Sequence, residues 1–451
     1  MSCNRFNETW EGALEPLSVS TKRERIAELA RINPRMAFMS LNHYIDYEWL
    51  FHAYQLTRKD GAVGIDGQTA SDYAANLEVN LRDLLERLKS GRYQAPAVRR
   101  HYIPKSDGGQ RPLGIPTFED KLAQRAIVML LEPIYEQDFH ECSFGFRPQR
   151  NAHQALRSLR NHIMDESGTW ILDVDLRKYF DSIEYAKLRA VLDKRVVDGM
   201  VRKLIDKWLK AGVMEEGKRY YATSGTPQGG VISPLLANVF LHYALDDWFV
   251  KAVQPRLVGL ASLTRYADDF VMVFQTIGDA SRVWKALRLR MQRFGLQVHP
   301  EKTKLVDFRF RRPQQQGWHT EMVTIFNFLG FTHVWAKSRR GKWIVLQRTA
   351  KDRMARTLKS LNERCRLMRH DPIRDQHRRL SAMLKGHYNY YGMTGNIRQL
   401  SDLLHQAERY WHKWLCRRSR KSYIPWQNFR SLLQFLPLPK PRIVHCYTTT
   451  S

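Results

Sequence analysis

The chain has 451 residues, 43% of them hydrophobic, enough for two or three domains with real cores and too apolar for a disordered polymer. Lys and Arg number 73 against 45 Asp and Glu, a net charge of +28, so the expected partner is a polyanion, with nucleic acid ahead of a membrane surface. No apolar run is long enough to span a bilayer, and residues 1–10 are too polar for a signal peptide. The five cysteines show neither CxxC nor Cys/His ligand spacing, which argues against a disulfide frame and a zinc site and for a reducing, cytoplasmic setting.

Residues 1–20 read as a loose tail, followed by helices over 21–32 and 46–56. The link Gly61-Ala62-Val63-Gly64-Ile65-Asp66-Gly67 lacks the Lys-Ser/Thr of a phosphate loop and reads as a connector. Residues 71–90 predict one helix with Leu77, Leu81, Leu84, Leu85 and Leu88 on one face. Over 98–116, strand-like residues flank Ser106-Asp107-Gly108-Gly109, which is strong hairpin chemistry. That hairpin carries Lys105 and Arg111 on its two arms. They are either solvated cations or a pair that grips one anion, and the sequence at this point leaves both open.

Helices are predicted over 117–137 and 151–164, with a loop at 143–148 between them. Trp170 to Leu176 reads as a strand with Asp173 and Asp175 on one face, and a buried carboxylate there is costly without a cation. Helices follow across 185–210, then the loop 224–230, then a helix over 233–248 with Pro234 at its opening. Next comes Leu263-Thr264-Arg265-Tyr266-Ala267-Asp268-Asp269-Phe270-Val271-Met272-Val273-Phe274. The residues after the paired aspartates favour a strand, and Ala-Asp-Asp favours a tight hairpin turn. A helix over 279–294 and a strand pair at 324–333 and 343–346 lead to a change of character near residue 347. Residues 351–430 hold 19 Lys and Arg against 6 Asp and Glu, nearly half the net charge, with helical apolar spacing and interleaved aromatics. These aromatics are Tyr388, Tyr390, Tyr391, Tyr410, Trp411 and Trp414.

Two carboxylates at a turn between apolar strands repel unless a cation joins them. A bare Asp-Asp pair is usually a solvated turn. With Asp175 as a third carboxylate, the set matches two-metal phosphoryl or nucleotidyl transfer, which uses two divalent ions about 4 Å apart. Hard oxygen ligands suit Mg²⁺, with Mn²⁺ as a substitute. Lys105 and Arg111 would then grip triphosphate oxygens.

The order of motifs resembles the reverse transcriptases encoded by group II introns. The stretches that carry the resemblance are IPKSDGGQRPLGIP, FEDKLAQRA, SFGFRPQRNAHQAL, LDVDLRKYFDSI, GTPQGGVISPLLANVFLHYALD, RYADDFVMVF, GLQVHPEKTK and FNFLGF. GIDG, GHYNYYGMTGN, WLCRRSRKS and PLPKPRIVH extend it to both sides. The resemblance implies an α+β right-hand polymerase, with fingers and an antiparallel palm sheet followed by an α-helical thumb. Its domains would be an N-terminal extension over 1–92, fingers and palm over 93–347, and a thumb or maturase domain over 348–451.

By position it makes Asp175, Asp268 and Asp269 the catalytic metal ligands, with the Leu176 carbonyl as a backbone ligand. It places Lys105, Arg111, Phe180, Gln228 and Lys302 at the incoming deoxynucleotide. Phe180 would bar a ribose 2′-hydroxyl sterically, against the competing reading of an ordinary core side chain. Arg417, Arg418, Arg420 and Lys421 fall in the stretch expected to bind nucleic acid. Asp173 and Asp181 read as structural, Asp181 as a helix cap. The implied function is RNA-directed DNA synthesis by a maturase that binds its intron RNA, promotes its splicing and copies it during retrohoming. RNA template, DNA primer or target, cDNA and deoxynucleoside triphosphates would be its partners, in a bacterial cytoplasm and in association with nucleoid or ribonucleoprotein. The chain lacks the cysteine pairs of the family's endonuclease and so resembles the endonuclease-lacking members. A polymerase of the same lineage in host service (phage defence, CRISPR spacer acquisition, diversity generation or repair) and a splicing factor without polymerase activity are the alternatives.

Overall fold

The computed structural model describes residues 16–104, 109–165, 168–215, 218–220, 229–309, 325–338, 340–419 and 421–447. Helices and mostly antiparallel sheets are mixed, as the α+β expectation has it. The hairpin over 98–116 forms from β1 (Val98–Pro104) and β2 (Gln110–Ile115), with Ile103 opposite Arg111. The short strands β4 (Val213–Glu215) and β5 (Lys218–Tyr220) extend that sheet in the order β2-β1-β4-β5. A central sheet has β3 (Trp170–Val174) and β8 (Lys304–Asp307) beside β6 (Ala261–Tyr266) and β7 (Asp269–Phe274), in the order β6-β7-β3-β8. All its pairs are antiparallel. A third sheet is built from β9 (Phe326–Phe328), β10 (Phe331–Lys337) and β11 (Trp343–Thr349).

The central strand β7 is sealed on both faces. Phe270, Met272 and Phe274 enter one core with Phe240 and with Val283, Leu287 and Met291 of the helix Ile277–Arg293. Val271 and Val273 enter a second core with Ala155, Leu156, Leu159 and Ile163 of the helix Ala152–Asp165. Strand side chains alternate between faces, so the unbroken apolar run after the aspartates needs cover on both sides and has it. Helices Pro16–Ile32, Tyr47–Leu56 and Leu77–Lys89 share the first core with the long helix Phe118–Asp138. Trp49 Nε1 donates to the Ala126 carbonyl at 3.0 Å, and Arg23 pairs with Glu132 at 2.6 Å. Gly64 lies so close to Pro116 and Thr117 that a Cβ would fall 2.5 Å from the Thr117 Cα, which gives the glycine-rich link a packing reason.

Several predicted elements take a different form in the fold. The helix expected over 71–90 is two, Ala70–Ala74 with a Thr69/Asp72 capping box and Leu77–Lys89. Asn80 Nδ2 donates to the Tyr73 carbonyl at 2.9 Å and so satisfies an acceptor stranded at the break. Beyond Leu241 the helix expected over 233–248 continues in wider i→i+5 turns at His242–Asp246 and Phe249–Val253. The strand at 170 ends at Val174 rather than Leu176. Asp181 is not a cap, because it lies inside the short helix Tyr179–Ser182, whose preceding residue is Lys178.

From Lys351 four helices, Lys351–Leu367, Ile373–Tyr391, Ile397–Leu415 and Trp426–Phe435, enclose a third core of Leu361, Leu380, Leu384, Leu400 and Leu403. Tyr388 and Trp411 belong to that core, and Trp411 Nε1 donates to Gln376 Oε1 at 3.0 Å, so these two aromatics are not a stacking surface. Among the described residues no helix is long and apolar enough to cross a membrane.

Candidate active site

Tyr266 pairs with Asp269, which leaves Ala267 and Asp268 as a two-residue turn between β6 and β7. Ala267 has φ +58°, the positive value that primed hairpin turns demand and that a residue with a Cβ seldom adopts. The loop from Cys142 to Gly145 runs along the outer edge of β6. The Arg265 amide donates to the Cys142 carbonyl at 2.8 Å, and the Phe144 amide to the Arg265 carbonyl at 2.9 Å. Gly145 then meets the turn itself, since a Cβ there would stand 2.4 Å from the Ala267 nitrogen.

Sheet register brings the third aspartate to this turn. Val174 faces Phe270 across β3 and β7, so the next step of the register sets Asp175 against Asp269. Directly opposed residues share a face, and alternation adds Asp173 to the same face. It is the face that carries Ile171, Val271 and Val273. Asp175 is fixed from the other side by residues 297–303. The His299 amide donates to the Asp175 carbonyl at 2.8 Å, the Arg177 amide to the Gln297 carbonyl at 2.8 Å, and the Asp175 amide to Thr303 Oγ1 at 3.3 Å. These flanking bonds bridge Leu176 to Val298 without using the carbonyl of Leu176, which is left on the side away from that segment.

The electrostatics agree with a crowd of carboxylates. The Asp173 carboxyl is pushed up to about 7, by burial first and then by the charges of Asp269 and Asp175. Lys302 stands 3.7 Å from Asp175, with both side chains well exposed, so it partly offsets the charge of a carboxylate. Among the described residues no group of three His, Cys, Asp or Glu side chains is gathered closely enough to hold an ion unaided. The donors are all hard oxygens, and Mg²⁺ commonly takes one or two carboxylates and completes its shell with water and substrate phosphate. The residues present therefore fit such an ion without a preformed cage.

The other expected site residues divide. Phe180 is half-buried, packed against the first core and edge-on to the buried Tyr179 at 5.2 Å between ring centroids. Arg111 lies on β2 opposite Ile103. Lys105, Gln228 and Arg420 lie outside the described residues. Arg417 sits over the Trp414 ring at 5.4 Å, and Lys421 is exposed. Arg418 differs from its neighbours: its guanidinium donates to the carbonyls of Arg369 and Asp371, both at 2.5 Å, and ties the end of one helix to the turn after another.

Three features at the site went unread in the sequence. Arg265 is fully buried beneath the turn and bound to Asp246. Gly145 abuts the turn. Tyr390, from the helix Ile373–Tyr391, donates its hydroxyl to the Leu329 carbonyl at 2.9 Å, and its pKa is raised by burial first and, among lesser causes, by Tyr266 and Asp269. The one signal for Arg265 was a cation in a strand otherwise built for a core.

Comparison with known proteins gives this geometry a context. A family model described as reverse transcriptase (RNA-dependent DNA polymerase) matches residues 103–333. Protein YkfC of Escherichia coli is 39% identical over 287 residues, covering 56% of this chain and 75% of that protein. The group II intron-encoded protein LtrA of Lactococcus lactis is 39% identical over 233 residues, covering 51% of this chain and 38% of that one. A 91 kDa protein in the cob intron of Schizosaccharomyces pombe is 28% identical over 375 residues, covering 69% and 45% respectively.

Proposed function

The chain belongs to the reverse transcriptases, the RNA-dependent DNA polymerases, and from that premise we propose that it copies RNA into DNA at the Ala267–Asp269 turn and serves as the maturase of a group II intron. The observation that carries the polymerase reading is the register that sets Asp175 against Asp269, with Asp268 at the adjoining turn. In this reading Asp175, Asp268, Asp269 and the Leu176 carbonyl would hold two Mg²⁺ ions. When bound, such ions lower the pKa of an attacking hydroxyl and stabilise the leaving phosphate. The chain's own residues do the rest. Lys302, beside Asp175, tempers the carboxylate charge before substrate arrives and is then within reach of phosphate. Lys105 and Arg111 grip the triphosphate, Gln228 steadies the nucleotide, and the half-buried Phe180 bars the sugar's 2′ edge.

The wider assembly follows the same reading. The sheet built on β1 and β2 and the central sheet would be fingers and palm, and the helical part after Lys351 a thumb. The excess of cations there suits a nucleic-acid backbone, RNA template against DNA primer and, in the maturase role, intron RNA. Retrohoming would combine these activities.

The deciding experiment is primer extension on an RNA template with Mg²⁺. Asp268→Ala is expected to lower the rate by at least roughly a thousandfold, a loss typical of removing a group that stabilises developing charge, while RNA binding stays within about twofold. Undiminished extension by Asp268→Ala would overturn the assignment. For the maturase role, protein added to a transcript of the intron that encodes it should accelerate splicing at low Mg²⁺.

A further inference from the structure

Arg265 is unusual in how completely it is satisfied. A guanidinium carries five N–H donors, and here all five find partners in a site from which solvent is excluded. Nε and Nη2 grip the two oxygens of Asp246 at 2.7 and 2.6 Å. Nη2 also donates to Ser143 Oγ at 2.6 Å, and Nη1 to Asn238 Oδ1 at 2.9 Å. The fifth bond is the informative one: Nη1 donates to the Ala267 carbonyl at 3.0 Å. That carbonyl belongs to the residue with φ +58°, immediately before Asp268.

The partners of Arg265 close on the turn by a second route. Asn238 turns its amide nitrogen to the Gly145 carbonyl at 2.6 Å, and Gly145 is the residue whose backbone abuts Ala267. Asp246 lies at the end of the i→i+5 turn His242–Asp246, a local widening that departs from the spacing of a regular helix. Both Asp246 and Arg265 have fully buried side chains. A pair this deep is weak evidence for stability, because well-packed apolar residues often replace buried ion pairs at no net cost. What apolar residues could not supply is the directed bond to the Ala267 carbonyl.

We propose that Arg265, held in its orientation by Asp246, is a positioning residue for polymerisation: it fixes the strained backbone of Ala267 and thereby the direction in which Asp268 and Asp269 leave the turn. Arg265 touches no substrate in this scheme. Its effect passes through one carbonyl, and displacements of about 1 Å at reacting groups can cost on the order of a hundredfold in rate. The proposal rests on the polymerase reading, and unmodified protein that fails to extend a primer would defeat that reading rather than this one.

The test uses the full chain in single-nucleotide extension with Mg²⁺, alongside thermal unfolding and binding of a primer–template duplex. Arg265→Lys keeps the charge for Asp246 but cannot also reach Ala267 in the same geometry. It is expected to lower kcat roughly thirtyfold, within the range that misplaced catalytic geometry produces, with duplex affinity and the KM for deoxynucleotide within about threefold. The double variant Arg265→Met with Asp246→Leu removes the pair without leaving a buried charge; it is expected to fold and to show the same loss in kcat. Adding Ala267→Gly to Arg265→Lys should restore part of kcat, because glycine accepts positive φ freely; a bond that merely holds the core together would give no such rescue. Wild-type kcat in Arg265→Lys, or a loss that tracks only the fraction of folded protein and is not relieved by Ala267→Gly, would overturn the proposal. Should the double variant fail to fold, Arg265→Lys and its rescue decide the matter alone.

Discussion

Gly145 shows how the site depends on a residue with no side chain. A Cβ at this position would fall 2.4 Å from the Ala267 nitrogen and 2.9 Å from the Tyr266 carbonyl carbon, and both obstacles are backbone. Neither can swing aside as a flexible side chain would. Gly145→Ala must therefore push the loop at 143–148 off β6 or deform the turn that carries Asp268. The expected outcome is a fall in primer-extension rate of roughly a hundredfold from misplaced carboxylates, with a smaller loss of stability of about 1–3 kcal/mol from local overpacking. Steady-state extension and thermal unfolding on the same preparation separate the two effects. At this scale the sequence was informative about chemistry and silent about support. Asp175, Asp268 and Asp269 stand out as candidates by type and by the strands around them. Arg265 did not, because Asp246, Asn238 and Ser143 become its partners only once helix, loop and strand have packed.

Among the elements, β7 was the easiest to read, since a run of five apolar residues after two aspartates can be satisfied only by a strand covered on both faces. The helix over 233–248 was harder: its apolar residues fit a regular helix, yet the chain widens at His242–Asp246 and places Asp246 beside Arg265. Periodicity averages over such a turn and conceals it. The helix Ile373–Tyr391 carries a further consequence. His387 is buried against Tyr391, its Nε2 has no hydrogen-bond partner among the described residues, and burial lowers its pKa to about 4. The folded chain thus binds this proton less readily than the unfolded chain, whose histidine titrates near 6.5. Its contribution to stability is whole above the unfolded value and is lost as pH falls from 6.5 towards 4, about 2 kcal/mol of it by pH 5. His242, lowered to about 4, and His333, lowered to about 3, act in the same direction. His387→Leu should consequently narrow the gap between melting temperatures at pH 7.5 and pH 5 by a few degrees. An unchanged gap would mean that the ring is hydrated in solution.

For the whole molecule, the question is where +28 charges do their work. Salt bridges engage many of the 73 Lys and Arg locally, and pairs such as Arg195–Asp138 and Arg265–Asp246 engage others in the cores, but each pair leaves the net excess as it was. An excess of 13 falls on residues 351–430, on helices whose aromatic residues are partly turned inward. If those cations hold nucleic acid, each phosphate contact releases condensed counterions, and affinity falls as a power of salt concentration. For six to ten such phosphates the loss between 50 and 200 mM salt is on the order of a thousandfold to a hundred-thousandfold. Fluorescence anisotropy with an RNA–DNA duplex measures this directly, and a flat response would remove the helical part from the binding surface. The same titration distinguishes residues that composition treats alike. Replacing exposed Lys421 or Arg417 by Gln should lower the slope by about 1 for each phosphate no longer neutralised, with little change in melting temperature. Arg418→Gln should leave the slope alone and lower the melting temperature instead, because its guanidinium is already committed to the carbonyls of Arg369 and Asp371. Among the described residues of this run, geometry thus separates Arg417 and Lys421, available to a polyanion, from Arg418, which holds the helices together.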